Sequence, residues 1–298
     1  MPQANLALIV GRGALPGAVA AAQETPPLIC ALQGHDPDHL DVDIRFRIEH
    51  LGGFLEQLRA HGVAEVCFCG AITRPEIDPA QIDAATTPMV PVLAAAVAGG
   101  EDSALRAVVG LFETAGFTVR AAHDLVPDLL PKAGMIGAVQ PGPDVGAALP
   151  AAQAVSGAQG QADLGQACVM RAGQVIARED ARGTDAMLSD LVADADGAVL
   201  EDNPFGATAD LAREALDSAA DWRSDPDAPN REGGFLFKAP KPGQDLRVDL
   251  PTIGPDTVKC AARAGLDGIV IAAGGVMVLN MAEVRRILDR AGMFLWVH

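Results

Sequence analysis

The chain reads as two α/β domains in succession. Short apolar runs alternate with amphipathic stretches, which is the pattern of strands separated by helices. Its 298 residues are enough for two ordinary domains. A Pro- and Gly-rich stretch near the middle, 127–143, separates two series of such runs.

In the first series Leu6–Val10 is an apolar run closed by Gly11-Arg12-Gly13-Ala14-Leu15-Pro16, and an Ala-rich helical stretch continues to about Gln23. Leu28–Leu32 is a second strand, and 46–48 contributes to a third. Leu51, Phe54, Leu55 and Leu58 recur at i, i+3, i+4 and i+7, so 51–61 is an amphipathic helix. Residues 63–69 form a strand ending in Gly70-Ala71-Ile72-Thr73-Arg74-Pro75. Helices follow at 93–98 and, capped by Asp102 or Ser103, up to Gly116; 117–121 is a further strand. This makes a Rossmann-like first domain at 1–128, followed by a linker or hinge at 129–143.

The second domain, 144–298, is a mixed α/β unit. It opens with a helix at 144–158 and a hairpin, 167–170 with 174–178, turning at Ala172-Gly173. A helix at 184–192 precedes an acidic insertion near 194–234, in which a helix at 208–222 has Leu211, Ala215, Ala219 and Trp222 on one face. Phe235-Leu236-Phe237 is a strand, followed by a charged Pro-rich segment, 238–254, a helix at 256–264 and a strand at 268–272. Asn280 caps the last helix, with Glu283 completing a capping box, and 294–297 is the terminal strand. Together the elements predict two α/β domains around a central cleft.

Composition removes several functions. Lys plus Arg is 22 against 39 for Asp plus Glu, a net charge of −17, which is unsuited to binding nucleic acid along a basic face. Hydrophobic residues are 49% of the chain, so it can bury real cores, and with no Tyr and 4% aromatics these are aliphatic. Five cysteines, an odd number, argue against a disulfide framework. Cys67 and Cys69 share a strand face and read as small buried residues, with a metal or redox pair as the sharper alternative. The chain shows no signal peptide or membrane span, which predicts a cytoplasmic protein whose membrane contact is peripheral.

Four places carry candidate chemistry. Gly11 and Gly13, between a strand and a helix, suit close approach of a phosphate; a plain tight turn competes with that reading. Pro16 stands at the third glycine of a dinucleotide fingerprint, which counts against an oxidoreductase. Arg74 closes the next strand end, where it could grip an anion, and His123 follows a strand in the same way. Thr184 and Asp185 either cap a helix or serve a site. The densest candidate is Lys238-Ala239-Pro240-Lys241-Pro242 through Arg247-Val248-Asp249-Leu250-Pro251-Thr252-Ile253-Gly254. Its prolines forbid a helix or central strand, leaving a stiff loop. Lys238, Lys241 and Arg247 could neutralise phosphate oxygens, and Asp249 could hold Mg²⁺ or orient a water.

That loop resembles the signature of LpxI-type UDP-2,3-diacylglucosamine pyrophosphatases of lipid A biosynthesis. Gly183-Thr184-Asp185-Ala186-Met187, Gly13-Ala14-Leu15-Pro16, Thr73-Arg74-Pro75, 117–123 and 261–269 fit the same pattern, so the likeness covers nearly the whole chain. It implies Mg²⁺-dependent hydrolysis of UDP-2,3-diacylglucosamine to UMP and 2,3-diacylglucosamine 1-phosphate, at the inner membrane surface of a Gram-negative bacterium. The family's essential aspartate falls on Asp249. Lys238, Lys241 and Arg247 then face phosphate oxygens, Asp185 is a second metal carboxylate, and Gly11, Gly13, Arg74, His123, Thr184, Gln244 and Thr252 contact substrate.

Arg12 and Arg182 depart from the family, which has Gly and Glu there. The insertion is a further departure, readable as a lid, as a contact between copies in a homodimer, or as surface decoration. Within it, 201–234 holds nine acids and three bases, so it supplies −6 of the −17. From Lys238 to Arg247 the balance is 3 − 1 = +2, a local field that would attract an anionic pyrophosphate. A nucleotide- or lipid-binding protein without catalysis is the alternative; Asp249 beside three cations argues against it, because a binder of anions gains nothing from a carboxylate there.

Overall fold

The computed structural model describes residues 5–73, 75–98, 101–195 and 233–298. Arg74 and 196–232, which hold most of the acidic insertion and its expected helix, lie outside the described residues. The chain divides into two units. Unit 1 is Met1–Asp128 with Gln244–Leu250, and unit 2 is Leu129–Gly243 with Pro251–His298.

Unit 1 contains strands β1 (Leu6–Val10), β2 (Leu28–Leu32), β3 (Ile44–Phe46), β4 (Glu65–Cys69) and β5 (Thr118–Val119). They form one parallel sheet in the order β3-β2-β1-β4-β5. The central strand β1 is buried from Ala7 onward, as a near-continuous apolar run must be when helices cover both faces of a parallel sheet. Its helices are α1 (Leu15–Ala21), α2 (Leu51–Ala60), α3 (Val90–Ala98), α4 (Glu101–Thr114) and the single turn α5 (Ala122–Leu125). Leu51, Phe54, Leu55 and Leu58 of α2 pack with Val109 and Phe112 of α4 on one face of the sheet. Two expectations shift here. The third strand is 44–46, because 48–50 turns into a 3₁₀ segment leading into α2. Helix α4 starts at Glu101, so Asp102 and Ser103 lie inside it rather than at its cap.

Glu49, 3% exposed, marks the entry to α2. Arg47 donates to both of its oxygens, from Nη2 at 2.9 Å and Nε at 3.2 Å, and the Asp78 N–H adds a third bond at 2.9 Å. The Arg47 bonds, outweighing desolvation, hold its carboxyl at about 2 against an ordinary 4.5. A depressed folded value means stability present above pH 4.5 that drains away as pH falls toward 2. Urea midpoints measured down this range are expected to fall more steeply for the wild type than for Glu49→Gln, which has no carboxylate to protonate. Parallel curves would show that Glu49 contributes nothing to acid sensitivity.

Unit 2 holds β6 (Gly134–Ile136), α6 (Pro143–Gln161), β7 (Ala167–Arg171), β8 (Gln174–Arg178), α7 (Thr184–Ala195), β9 (Phe235–Lys238), β10 (Thr252–Ile253), α8 (Pro255–Arg263), β11 (Gly268–Ile271), β12 (Met277–Val278), α9 (Met281–Ala291) and β13 (Phe294–Val297). Six strands form a mixed sheet, β6-β13-β11-β9-β7-β8, in which β9, β11 and β13 are parallel and the outer strands antiparallel. Period-two alternation splits its core in two. Leu236, Ile269 and Ile271 face α7, α8 and α9, whereas Phe235, Phe237 and Val270 face α6.

The hairpin turns at Ala172 and Gly173, both at positive φ (49° and 75°), as a two-residue turn matched to strand twist requires. The Asn280 side chain accepts the Glu283 N–H, but Glu283 pairs with Arg286 instead of reaching back, so the capping box is half made. Strand β6 lies inside the Pro/Gly-rich stretch and pairs with β13 at the sheet edge. No described helix is long and apolar enough to cross a membrane.

Candidate active site

The charged segment 238–254 is divided between the units. Lys238 ends β9, at the carboxyl end of the parallel strands of unit 2, where ligands of open α/β sheets gather. It is 6% exposed, and its Nζ donates to Thr184 Oγ1 at 2.8 Å and to the Thr252 carbonyl at 3.1 Å. The Thr184 hydroxyl in turn donates to Glu179 Oε1 at 2.6 Å. Asp185, in the first turn of α7, accepts from Thr257 Oγ1 in the first turn of α8 at 3.2 Å. Its residue surface reaches solvent, but protein crowds the carboxyl. That crowding is the larger effect and pushes its pKa up, while the Thr257 bond and the Lys238 charge pull it down. Lys241 pairs with Asp163 at 2.6 Å.

In unit 1, residues 244–250 form a compact turn organised by Asp245. Its carbonyl accepts the Val248 and Asp249 N–H groups, both at 3.1 Å. Its carboxylate accepts the Arg247 N–H and takes the guanidinium in bidentate fashion, at 2.9 and 2.7 Å. Arg247 also donates to Glu113 on α4 at 2.6 Å, and Val248 packs onto the unit 1 core. The guanidinium beside Asp245 holds that carboxyl below its usual range. The turn presents Asp249, half-buried, whose Oδ2 accepts from Gln244 Nε2 at 2.5 Å. Among the described residues, no hydrogen-bond partner meets its other oxygen.

The three loop cations therefore do not stand as an open positive patch. Asp163, Asp245 and Glu113 pair Lys241 and Arg247, and Glu179 balances Lys238 through Thr184. The +2 counted along the chain is cancelled by carboxylates that folding brings in.

The glycine turn of unit 1 brings two loops into contact. A Cβ on Gly11 would lie 2.3 Å from the Ala71 carbonyl oxygen, so this glycine is there to let the loops after β1 and β4 touch. Arg12 and Ala71 then exchange two backbone hydrogen bonds of 2.9 Å, joining those loops. The Gly13 N–H, at φ +98°, is held by the Asp38 carboxylate at 2.9 Å. His35 bonds to Thr73 Oγ1 at 2.8 Å in the same loop cluster. His123 lies on α5, just beyond β5; its Nε2 is 3.9 Å from Asp124, and its buried Nδ1 has no partner among the described residues. A groove of about 640 Å³ between α2, α3 and α4 is lined mainly by Leu55, Pro88, Met89, Val92 and Leu111. All five cysteines are free and buried, and burial pushes the Cys30 and Cys168 thiols up to about 12, so neither is a ready nucleophile.

No three His, Cys, Asp or Glu side chains cluster around a metal position among the described residues. Mg²⁺ does not demand such a cage, since it keeps waters and substrate phosphates and takes one or two carboxylates. Asp249, with an oxygen left over, fits that donor role. Sequence reading passed over Glu179, Asp163 and Glu113 as site residues, because their partners lie far along the chain. Asp245 carried a local signal, since an Asp two residues before an Arg can fold back on the backbone as an Asx turn.

A buried lysine–hydroxyl–carboxylate chain at the carboxyl ends of parallel strands, where open α/β sheets gather ligands, defines an α/β protein with a candidate site in unit 2. The chain belongs to the LpxI family. Residues 5–129 match the LpxI N-terminal domain and 132–296 the LpxI C-terminal domain. A relative from Caulobacter vibrioides, named UDP-2,3-diacylglucosamine pyrophosphatase LpxI, is 35% identical across 98% of this chain and 96% of its own length.

Proposed function

We propose that this chain hydrolyses the pyrophosphate bond of UDP-2,3-diacylglucosamine, giving UMP and 2,3-diacylglucosamine 1-phosphate in lipid A biosynthesis. The carrying observation is the 35% identity over 98% of the chain to a protein named for that activity. A substrate that joins a nucleotide to acyl chains supports a cytoplasmic enzyme in peripheral contact with the inner membrane.

Hydrolysis forms one P–O bond from water and breaks one P–O bond of the anhydride, and the attacking water must lose a proton. Asp249, set at the end of a braced turn with one carboxylate oxygen fixed by Gln244, orients that water. Lys238 supplies a fixed cation for phosphate oxygens, with Thr184 and Thr252 setting its direction. Lys241 and Arg247 reach phosphate by exchanging it for Asp163 and Glu113, and otherwise stiffen the segments that carry Lys238 and Asp249. Where Mg²⁺ is bound, Asp249 or Asp185 would supply carboxylate oxygen, and the ion would neutralise charge on the phosphate oxygens.

The test is incubation with UDP-2,3-diacylglucosamine, with products read by mass. UMP is expected to form, to stop forming in EDTA and to return with Mg²⁺. No UMP from the intact chain in the presence of Mg²⁺ rejects the reading; release that EDTA leaves unchanged rejects the metal.

A further inference from the structure

Glu179 follows β8 and is 8% exposed. Its Oε2 accepts the Gln166 N–H at 2.7 Å, and its Oε1 accepts the Thr184 hydroxyl at 2.6 Å. Its own N–H bonds to the Ala167 carbonyl at 3.0 Å, and its carbonyl accepts from Gln159 Nε2 at 3.2 Å. Gly165 packs so closely that a Cβ there would lie 2.7 Å from the Glu179 oxygen. Backbone and side chain are both held, so this carboxylate has one position.

The direction of the chain it ends is set by donor chemistry. An ammonium only donates and a carboxylate only accepts. The Thr184 proton must therefore point at Glu179, which turns the hydroxyl lone pairs toward Lys238 Nζ, 2.8 Å away. Burying a Lys and a Glu costs stability that a well-packed apolar set of the same volume would not. Such an arrangement at the carboxyl end of parallel strands gains orientation in return.

We propose that Glu179 is a positioning residue that, acting through the Thr184 hydroxyl, holds the Lys238 ammonium in one orientation toward the phosphate oxygens of the substrate; the role rests on the pyrophosphatase reading above. Glu179→Gln tests it at constant shape. One amide face must become a donor. Turned to Gln166 it meets an N–H, and turned to Thr184 it forces the hydroxyl proton toward the ammonium. The first sets two donors against each other and the second reverses the chain, so the amide cannot hold Thr184 as the carboxylate does.

Glu179→Gln is expected to lower kcat by about 10- to 100-fold, in the range of a misplaced catalytic group, with KM changed less than about threefold. Thr184→Val should do the same, and Thr184→Ser should recover most of what valine loses. A second readout needs no substrate. The chain has four lysines, so its lysine ammonium NMR spectrum is sparse, and Lys238→Arg identifies the Lys238 signal by deleting it. That signal should be sharp and slow to exchange in the wild type and broadened in Glu179→Gln and Thr184→Val.

Wild-type kcat in Glu179→Gln, an unchanged Lys238 signal, or Thr184→Ser as poor as Thr184→Val overturns the proposal. If Glu179→Gln fails to fold, the two Thr184 variants decide it. Absence of turnover in the wild type would sink the pyrophosphatase reading instead, and the NMR comparison would still judge the Lys238–Thr184–Glu179 chain.

Discussion

Asp249→Asn is expected to reduce UMP release by about 10²- to 10⁴-fold, the range lost when a positioned acid–base group is removed, while the protein stays folded. The structural cost should be small. Asp249 is half-buried, and among the described residues its side chain holds one bond, from Gln244, that an asparagine oxygen can still accept. The bracing of the turn comes instead from Asp245, Arg247, Glu113 and Val248, none of which changes. A net hydrogen bond is worth about 0.5–1.5 kcal/mol, so the shift in the urea midpoint should correspond to about 1 kcal/mol or less. Turnover would be read by mass and folding by circular dichroism on the same preparation. Near-normal turnover would remove Asp249 from the reaction, and loss of cooperative unfolding would make it structural.

Gly11→Ala is expected to destabilise unit 1 by forcing apart the loops that follow β1 and β4. The added carbon would sit 2.3 Å from the Ala71 oxygen, 2.7 Å from its carbonyl carbon and 2.8 Å from Ile72 Cγ1. Two of the three are backbone atoms of a loop tied to this one, so neither can swing aside. Relief requires parting the loops, which breaks the Arg12–Ala71 pair of hydrogen bonds and strains the Gly11–Cys69 bond. Three such bonds at about 0.5–1.5 kcal/mol each give a loss of about 2–4 kcal/mol, a large part of the 5–15 kcal/mol typical of a domain. Hydrogen exchange read by mass spectrometry should show faster exchange at 11–12 and 71. Unchanged exchange would mean that the loops absorb the methyl, and the close approach would then not be what requires glycine.

The fold was legible where local pattern and burial agree. Strands 6–10, 28–32 and 294–297 coincide with apolar runs because both faces of those strands are covered. The positive-φ pair at 172–173 and the Asn280 cap are local chemistry and equally visible. Strand β3 was misplaced by two residues because Arg45 interrupts its apolar signal, and β6 was hidden among glycines and prolines because an edge strand needs little burial.

The site divided along the same line. The loop that bears Lys238 and Asp249 stands out by composition, but its electrostatics do not. Asp163 is 78 residues from Lys241 and Glu113 is 134 from Arg247, and no count along a chain can subtract charges that arrive from such distances. Glu179 was invisible for the same reason, since its meaning depends on a lysine that the fold delivers.

The discontinuity of unit 1 bears on the order of events during synthesis. Its last segment, 244–250, is made 122 residues after its main body ends at Asp128. At about 5–20 residues per second, roughly 6–24 s of translation separate the two. For that interval the nascent first unit lacks Val248 on its core and any partner from Arg247 for Glu113. A gene fragment cut at the boundary between the two halves would leave it permanently in that state, without the aspartate proposed to do the chemistry.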